Sequence, residues 1–240
     1  MDAENGSDAM YIESGLLGVV VGAAGTVLGG VLAMLIGGRV KEPRPFLAFA
    51  GGMMIAVVFF DMLIESAEVG SVWTMCIGTV GGGVFFALAA PLVSHEETPS
   101  LRAMGILVLL GIALHNLPEG LAIGSSLVEN ERIALSLSLL MLIHNVPEGV
   151  AVCLPLRLSG MKAAKILWLA FLTGAPTAVG ALLGTAVGSI SPNMISLCIA
   201  FAGGAMLFIS LKELIPAAGE KKALYALLGL CFGFFMTMLV

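Results

Sequence analysis

Long apolar stretches, separated by connections of a few polar residues, make up most of the sequence. A helix needs about 20 mostly apolar residues to cross the hydrocarbon core of a bilayer. Eight stretches approach or exceed that length, at about residues 12–36, 45–64, 70–93, 103–127, 133–155, 164–189, 194–216 and 222–240. The pattern predicts an all-α integral membrane protein with eight transmembrane helices, spans 1 to 8, in one domain over residues 1–240.

The amino-acid composition supports a membrane protein and excludes other classes of protein. Apolar residues make up 59% of the chain and charged residues 11%, whereas about a quarter of the residues in a soluble domain are charged. A water-soluble enzyme and a disordered chain are therefore excluded. The 11 Lys and Arg residues and the formal net charge of −5 argue against a nucleic-acid partner.

The basic residues predict the orientation of the spans. Ten of the 11 fall in or beside connections on one side of the membrane: Arg39, Lys41, Arg44, Arg102, Arg157, Lys162, Lys165, Lys212, Lys221 and Lys222. Only Arg132 falls on the other side. Because Lys and Arg near span ends remain cytoplasmic, we expect a multi-pass protein of the cell (plasma) membrane with both termini outside.

Spans 2 and 7 contain similar segments, AFAGGMMIAVVFFDML at 48–63 and AFAGGAMLFISLKELI at 200–215. Aligned without a gap, they pair both Gly-Gly steps and also pair Met54 with Met206. Since the two spans run in opposite directions, we expect an inverted repeat of spans 1–3 and 6–8 around spans 4 and 5, as in many transporters. The alternative is that the Gly pairs only allow helices to approach closely.

The same alignment pairs two acidic residues, Asp61 and Glu213. Asp61 would lie toward the outer end of span 2, and Glu213 toward the inner end of span 7. We interpret them as candidate gates for a cation. The alternative is that each is a terminal charge that reaches out to water.

A duplicated motif at the centres of spans 4 and 5 carries the candidate chemistry. Residues 115–120 read HNLPEG and residues 144–149 read HNVPEG. Each motif would bring a His and a Glu near the bilayer midplane, where an unpaired charge costs a few kcal/mol or more. Two satisfied polar clusters bridging the helices are the structural alternative. Duplication at equal depth, with Pro and Gly repeated, favours a functional site.

Helical geometry brings the motif side chains together. A Glu four residues after a His lies about 40° around the helix from it, on the same face. In antiparallel helices, His115 would oppose Glu148, and His144 would oppose Glu119. The predicted ring of two imidazoles, two carboxylates and two amides consists of His115, Asn116, Glu119, His144, Asn145 and Glu148.

The two motif prolines add a second feature to this ring. Pro118 and Pro147 lack a backbone donor, which leaves the carbonyls of Leu114 and Ile143 without their usual partners. We therefore expect helices interrupted at mid-membrane, with free carbonyls that help to line an ion site. Mixed nitrogen and oxygen donors suit zinc, iron, manganese or cobalt better than calcium or magnesium. Two carboxylates also offset the charge of one dication.

Eight spans, outward termini and paired HNxPEG motifs resemble the ZIP (zinc/iron permease) family of divalent-metal transporters, in its prokaryotic form. The resemblance covers nearly the whole chain and implies a 3+2+3 helix arrangement with metal moving into the cytoplasm. It implies zinc first, with iron, manganese, cobalt and cadmium as further cargo, and no prosthetic group. All six ring residues match the family's ligands, and Met54 matches a position that can supply a thioether.

The chain departs from the family pattern at two places. Span 6 reads TGAPTAVGA at 173–181, so Thr177 stands where many relatives carry a Glu that completes a second metal position. We therefore expect one fully liganded ion. The connection between spans 3 and 4 is short, with His95, Glu96 and Glu97 as its only candidate exit-side ligands; a solvated loop is the alternative.

The leading hypothesis is a transporter or channel-like permease for divalent metals, not an enzyme. An intramembrane metal-dependent hydrolase would need an open metal position and a separate base, as in HExxH, which the sequence lacks. A metal-binding membrane protein without flux is a third hypothesis. Expected partners are metal ions and the bilayer. The sequence does not decide whether the protein forms a homodimer, which metal it prefers, whether it is a carrier or a channel, or whether transport is coupled to protons.

Overall fold

The computed structural model describes residues 2–37, 44–93, 100–187 and 191–238, and regular structure within these ranges is helical throughout. The helices within these ranges begin with α1 (Asp2–Gly18, the π-helical segment Val19–Ala24 and Gly25–Gly37) and α2 (Arg44–Val57, the π-helical segment Val58–Met62 and Leu63–Val69). Then follow α3 (Val72–Val93), α4 (Leu101–Glu129), α5 (Glu131–Leu158) and α6 (Ala163–Val187). The last two are α7 (Pro192–Ile209 with the π-helical segment Ser210–Leu214) and, after a 3₁₀ segment at Pro216–Lys221, α8 (Lys222–Met238).

Most of these helices are long and apolar enough to cross a membrane. Seven segments qualify among the described residues: Met10–Gly37, Pro45–Val69, Val72–Leu92, Leu101–Val128, Ala134–Leu158, Ala163–Val187 and Pro192–Leu214. α8 is apolar but only 17 residues long. Large apolar side chains on the outside, such as Trp73 at 79% and Leu92 at 84% exposure, suit a lipid environment rather than water. The prediction of an all-α, multi-pass membrane protein is confirmed.

The most extensive packing is that of α4 with α6, of α1 with both α5 and α6, of α2 with α8, and of α3 with α7. Contacts of α4 with α5 and of α1 with α6 join α1, α4, α5 and α6 into one group. The other group contains α2, α3, α7 and α8. Between the groups, α4 contacts α7 closely, whereas α2 contacts α5 sparsely.

The aligned segments of α2 and α7 make reciprocal contacts. A Cβ placed on Gly51 would lie 2.9 Å from the side chain of Ile215, just after α7, and one placed on Gly203 would lie 3.7 Å from Leu63. A residue near the start of α2 therefore faces the end of α7, and one near the end of α2 faces the middle of α7, so α2 and α7 are antiparallel. Both also contain a π-helical segment at the same aligned position, Val58–Met62 and Ser210–Leu214.

Their neighbours repeat the same relation. A Cβ on Gly52 of α2 would lie 1.9 Å from the carbonyl oxygen of Ala226 in α8. A Cβ on Gly204, the aligned residue of α7, would lie 2.0 Å from the carbonyl oxygen of Thr79 in α3. No side chain fits at such distances, so these glycines let the backbones touch.

The helices of the duplicated motif differ from the sequence prediction. α4 and α5 are continuous, with Pro118 inside α4 and Pro147 and Pro155 inside α5. The expected interruption at mid-membrane is therefore wrong. A proline removes one hydrogen bond from a helix, but neighbouring helices can hold the rest of the turns in place. Residues 94–99, which include His95, Glu96 and Glu97, lie outside the described residues.

Candidate metal site

A tight hairpin places the two motifs side by side. α4 ends at Glu129 and α5 begins at Glu131, so Asn130 alone connects them in an extended conformation. The side-chain oxygen of Asn130 accepts a hydrogen bond from the backbone N–H of Arg132 and so caps α5. His115 precedes this turn by nearly the same number of residues as His144 follows it, so antiparallel helices bring both motifs to one depth.

The imidazoles of the two motifs converge on one carboxylate. His144 Nε2 donates a hydrogen bond to Glu119 Oε1 on the opposite helix. His115 Nε2 lies 3.0 Å from the same oxygen, without the alignment of a hydrogen bond. His115 Nε2 also lies 3.7 Å from Glu148 Oε1. Each His therefore faces the Glu of the other helix, as the antiparallel spacing predicts.

Burial makes these groups unusual. His115, Glu119 and Glu148 are 3–5% exposed, and the side chain of His144 is 15% exposed. One ligand atom each from His115, His144 and Glu148 lies within 4.8 Å of the other two. Glu119 Oε2 and both oxygens of Glu148 have no hydrogen-bond partner among the described residues. Acceptors that are buried without partners suit a bound cation, because they otherwise cost free energy.

The two asparagines make hydrogen bonds to neighbouring helices that the sequence did not indicate. The amide of Asn116 donates to the carbonyl oxygen of Thr173 on α6, at 2.8 Å. The amide of Asn145 donates to the carbonyl oxygen of Val21 in the π-helical segment of α1, at 3.2 Å. Both side chains are fully buried, and both amide oxygens are without a partner among the described residues. Each Asn thus ties a motif helix to its neighbour and keeps an oxygen free.

Thr177 lies within this framework, at one of the close approaches of α4 and α6. A Cβ placed on Gly120 would be 2.0 Å from the carbonyl oxygen of Thr177. The Thr177 side chain is buried, and its hydroxyl has no hydrogen-bond partner among the described residues. Position 177, where the family resemblance implies a carboxylate, therefore holds a neutral hydroxyl, and a Cβ placed on Gly22 of α1 would lie 2.3 Å from its oxygen.

Two small cavities adjoin the ring. A cavity of about 90 Å³ is lined by His144 and Glu148 together with Met54 and Asp61. A second, of about 30 Å³, is lined by His115, Glu119 and His144 together with Asp61 and Glu65. The structure therefore brings Met54 and Asp61 beside the ring, with Asp61 in the wall of both cavities.

Glu65 is a residue that the sequence interpretation missed. The predicted span 2 ends at residue 64, just before Glu65, but α2 continues through Glu65 to Val69. Asp61 and Glu65 are four residues apart on one helix, a spacing that puts both on the same face. The sequence shows this spacing, but it becomes informative only once α2 is known to extend past Glu65.

Glu213, the partner of Asp61 in the alignment, has different surroundings. It lines neither cavity. Its side chain is 9% exposed, and its Oε2 has no hydrogen-bond partner in the described part of the chain. The aligned acidic residues are thus not equivalent in this conformation.

Comparison with known proteins gives the family. Residues 90–240 match the family model described as ZIP zinc transporter. The chain is 32% identical to the zinc transporter GufA of Myxococcus xanthus, over 90% of this chain and 94% of that protein. It is also 32% identical to the zinc transporters ZupT of Corynebacterium aurimucosum, over 84% and 86% of the two chains, and of Corynebacterium glutamicum, over 92% and 91%. These relatives confirm the resemblance: the chain belongs to the ZIP zinc transporter family.

Proposed function

We propose that this protein carries divalent transition-metal ions, zinc first, across the membrane into the cytoplasm through the ring between α4 and α5. One observation carries the proposal: two imidazoles and two carboxylates converge at the middle of two membrane spans, with acceptor oxygens that lack partners. Family membership supports transport rather than hydrolysis, because the matched relatives are named zinc transporters. The metal is cargo, and the proposal requires no prosthetic group.

The ligands proposed for the ion are the side chains of His115, Glu119, His144 and Glu148. Two nitrogens and two carboxylates form a donor set that suits zinc and its neighbours in the first transition row. The two negative charges offset one dication in a site that water barely reaches. Met54 adds a thioether from the side of the larger cavity. The free amide oxygens of Asn116 and Asn145 add oxygen donors behind the carboxylates.

The number of ions follows from Thr177. A second metal position next to Glu119 and Glu148 would have two amide oxygens and a neutral hydroxyl as its further donors. Divalent transition metals prefer anionic or imidazole donors to neutral oxygen. We therefore propose that one ion is fully liganded at a time.

Asp61 and Glu213 are proposed as an outer and an inner acidic gate. Asp61, with Glu65, lines the cavity beside His144, so it would receive an ion that approaches the ring from outside. Glu213 occupies the aligned position in α7, and it would approach the ring only in a second conformation. The two positions would then act in turn.

We propose a 3+2+3 arrangement in which α1–α3 and α6–α8 form an inverted repeat around α4 and α5, in one transport domain. The reciprocal contacts of Gly51 and Gly203 and the matched π-helical segments support the repeat. Repeats of this kind exchange conformations to give alternating access. The distribution of basic residues supports a plasma-membrane protein with both termini outside.

Zinc uptake by purified protein in liposomes tests the proposal. We expect His115→Ala and Glu148→Ala each to lower uptake at least about tenfold, since loss of even an outer-shell contact to a metal ligand costs 10–100-fold. Glu131→Ala, at an exposed position at the start of α5, is the matched control and should leave uptake unchanged. Competition by iron, manganese, cobalt and cadmium would rank the cargo.

Binding of zinc by the wild type without uptake would contradict transport and favour a metal-binding protein. Uptake that persists in both ring variants would contradict the site while leaving transport intact.

A further inference from the structure

An apolar crevice opens between α1, α2, α5 and α8. Its volume is about 460 Å³, and the side chains that line it include Leu32, Phe46, Val150, Leu154, Tyr225 and Phe232. Several of them are far from buried: Phe46 is 40% and Phe232 44% exposed. Because these residues belong to membrane spans or to the apolar helix α8, the crevice opens toward lipid rather than toward water.

The crevice adjoins the candidate metal site. Met53 and Pro147 line both the crevice and the cavity that contains His144 and Glu148. Pro147 belongs to the second HNxPEG motif, and Met53 precedes Met54. An occupant of the crevice would therefore lie next to the ring, between α2 and α5, where these two helices make few contacts.

The wall of the crevice comes from one end of the bundle. Its residues lie in the second half of α1, the first half of α2, the second half of α5 and the stretch 225–232 of α8. Successive antiparallel spans bring these halves to the same face of the membrane. Most of the Lys and Arg residues in the described part of the chain also lie toward this end.

Two cations flank the crevice at that end. Arg157 is one turn after Leu154 in α5, and its side chain packs against the end of α1, where a Cβ on Gly37 would lie 2.9 Å from its Cγ. Lys222 is exposed and begins α8 one turn before Tyr225. Neither cation makes an ion pair with the residues that the structure describes. Clustered cations beside an apolar pocket between transmembrane helices are the features that bind anionic lipid headgroups.

We propose that the crevice binds an anionic phospholipid, with one acyl chain between α2 and α5 and the phosphate held by Arg157 and Lys222. Hydrocarbon is the occupant that the surroundings supply, and its burial against apolar side chains is favourable over the length of the chain. The two cations select a negative headgroup over a zwitterionic one. This binding does not depend on metal transport.

Native mass spectrometry of the full-length protein in detergent, titrated with phosphatidylglycerol or phosphatidylcholine, tests the proposal. We expect the wild type to retain phosphatidylglycerol in preference to phosphatidylcholine. Arg157→Gln and Lys222→Gln should each weaken phosphatidylglycerol binding about fivefold, which corresponds to about 1 kcal/mol per cation near a headgroup. The matched controls are Lys162→Gln, in the connection between α5 and α6, and Lys165→Gln, in the first turn of α6, which each remove an exposed cation.

A second set of variants tests the crevice itself. Val150→Phe and Leu228→Phe add volume inside the crevice and should reduce binding of both lipids, whereas Leu172→Phe, on the exposed face of α6, should not. Thermal melting in detergent separates lost binding from lost folding. Equal retention of the two lipids, unchanged by the charge variants, would overturn the headgroup assignment. Unchanged lipid binding in folded Val150→Phe and Leu228→Phe would overturn the crevice as the site.

Discussion

The two HNxPEG motifs differ at only one position in sequence, yet their side chains have different surroundings. Glu119 on α4 contacts both imidazoles, whereas neither oxygen of Glu148 on α5 has a hydrogen-bond partner among the described residues. His115 is buried deep in the bundle, while His144 also lines the larger cavity. The amide of Asn116 makes a shorter hydrogen bond than that of Asn145.

The difference shows that a sequence repeat does not guarantee equal roles in one conformation. The contacts between the two helix groups are also unequal. α4 packs closely against α7, whereas α2 and α5 make few contacts and have cavities between them. An inverted repeat in which one half is closed and the other open would produce this asymmetry. Variants of matched residues can therefore separate a permanent difference from one that belongs to this conformation.

The largest expected effect comes from the two glutamates. Replacement by Gln keeps the shape and removes the charge. Because Glu119 alone lies against both imidazoles, we expect Glu119→Gln to lower zinc uptake by about a hundredfold or more, in line with the loss of one partner from a buried ionic network. Glu148→Gln should lower it by about tenfold. Uptake by reconstituted protein measures both, with Glu131→Gln as control.

Equal losses of uptake in the two variants would show that the two glutamates are equally important over the transport cycle. The asymmetry of the contacts would then belong to this conformation only.

A smaller effect is expected at the aligned gates. Asp61 lines both cavities beside the ring, so Asp61→Asn should raise the zinc concentration that gives half-maximal uptake, by up to about tenfold. This is the range of electrostatic attraction of a cation, and it should shrink at high ionic strength. Glu213→Gln should leave that concentration unchanged and lower the maximal rate. Initial uptake rates over a range of zinc concentrations measure both.

A rise in the half-maximal concentration in Glu213→Gln, with no change in Asp61→Asn, would reverse the assignment of outer and inner gates.

Much of the architecture was predictable because hydrophobicity and motif repetition are strong signals in a membrane protein. The positions of the long apolar helices follow from the length that a bilayer requires. The meeting of His144 with Glu119 follows from two facts, the i to i+4 spacing and the antiparallel hairpin. The family resemblance rested on the same two motifs, and comparison with relatives confirmed it.

The local helix geometry was not predictable. Pro118 and Pro147 should break an isolated helix, but both lie inside continuous helices, where neighbouring spans supply the missing support. The π-helical segments of α1, α2 and α7 cannot be recognised from hydropathy. One extra residue per turn changes the direction in which the side chains point, but not how polar they are. The predicted span 2 ends before Glu65 because the apolar run ends there, whereas α2 continues to Val69.

The unequal roles of Asp61 and Glu213 were hidden for another reason. Their sequences align without a gap, so any comparison of residues makes them equivalent. Their surroundings depend on which side of the bundle is open, and that is a property of a conformation rather than of a pattern. The same holds for Asn116 and Asn145, whose hydrogen bonds to α6 and α1 become visible only when the partner backbones are in place.

The smallest expected effect concerns these two asparagines as ties between helices. Replacement by Leu keeps a similar size, removes the amide donor and so removes its hydrogen bond to a buried carbonyl oxygen, which costs about 0.5–1.5 kcal/mol. Asn116→Leu should lower the melting temperature of metal-free protein in detergent more than Asn145→Leu, because its hydrogen bond is 2.8 Å long rather than 3.2 Å. A chelator in the sample removes any contribution from zinc, so the difference reports on the ties alone. Unchanged melting temperatures would mean that close approach of the backbones, through Gly120 and Gly149, holds the motif helices without the amides.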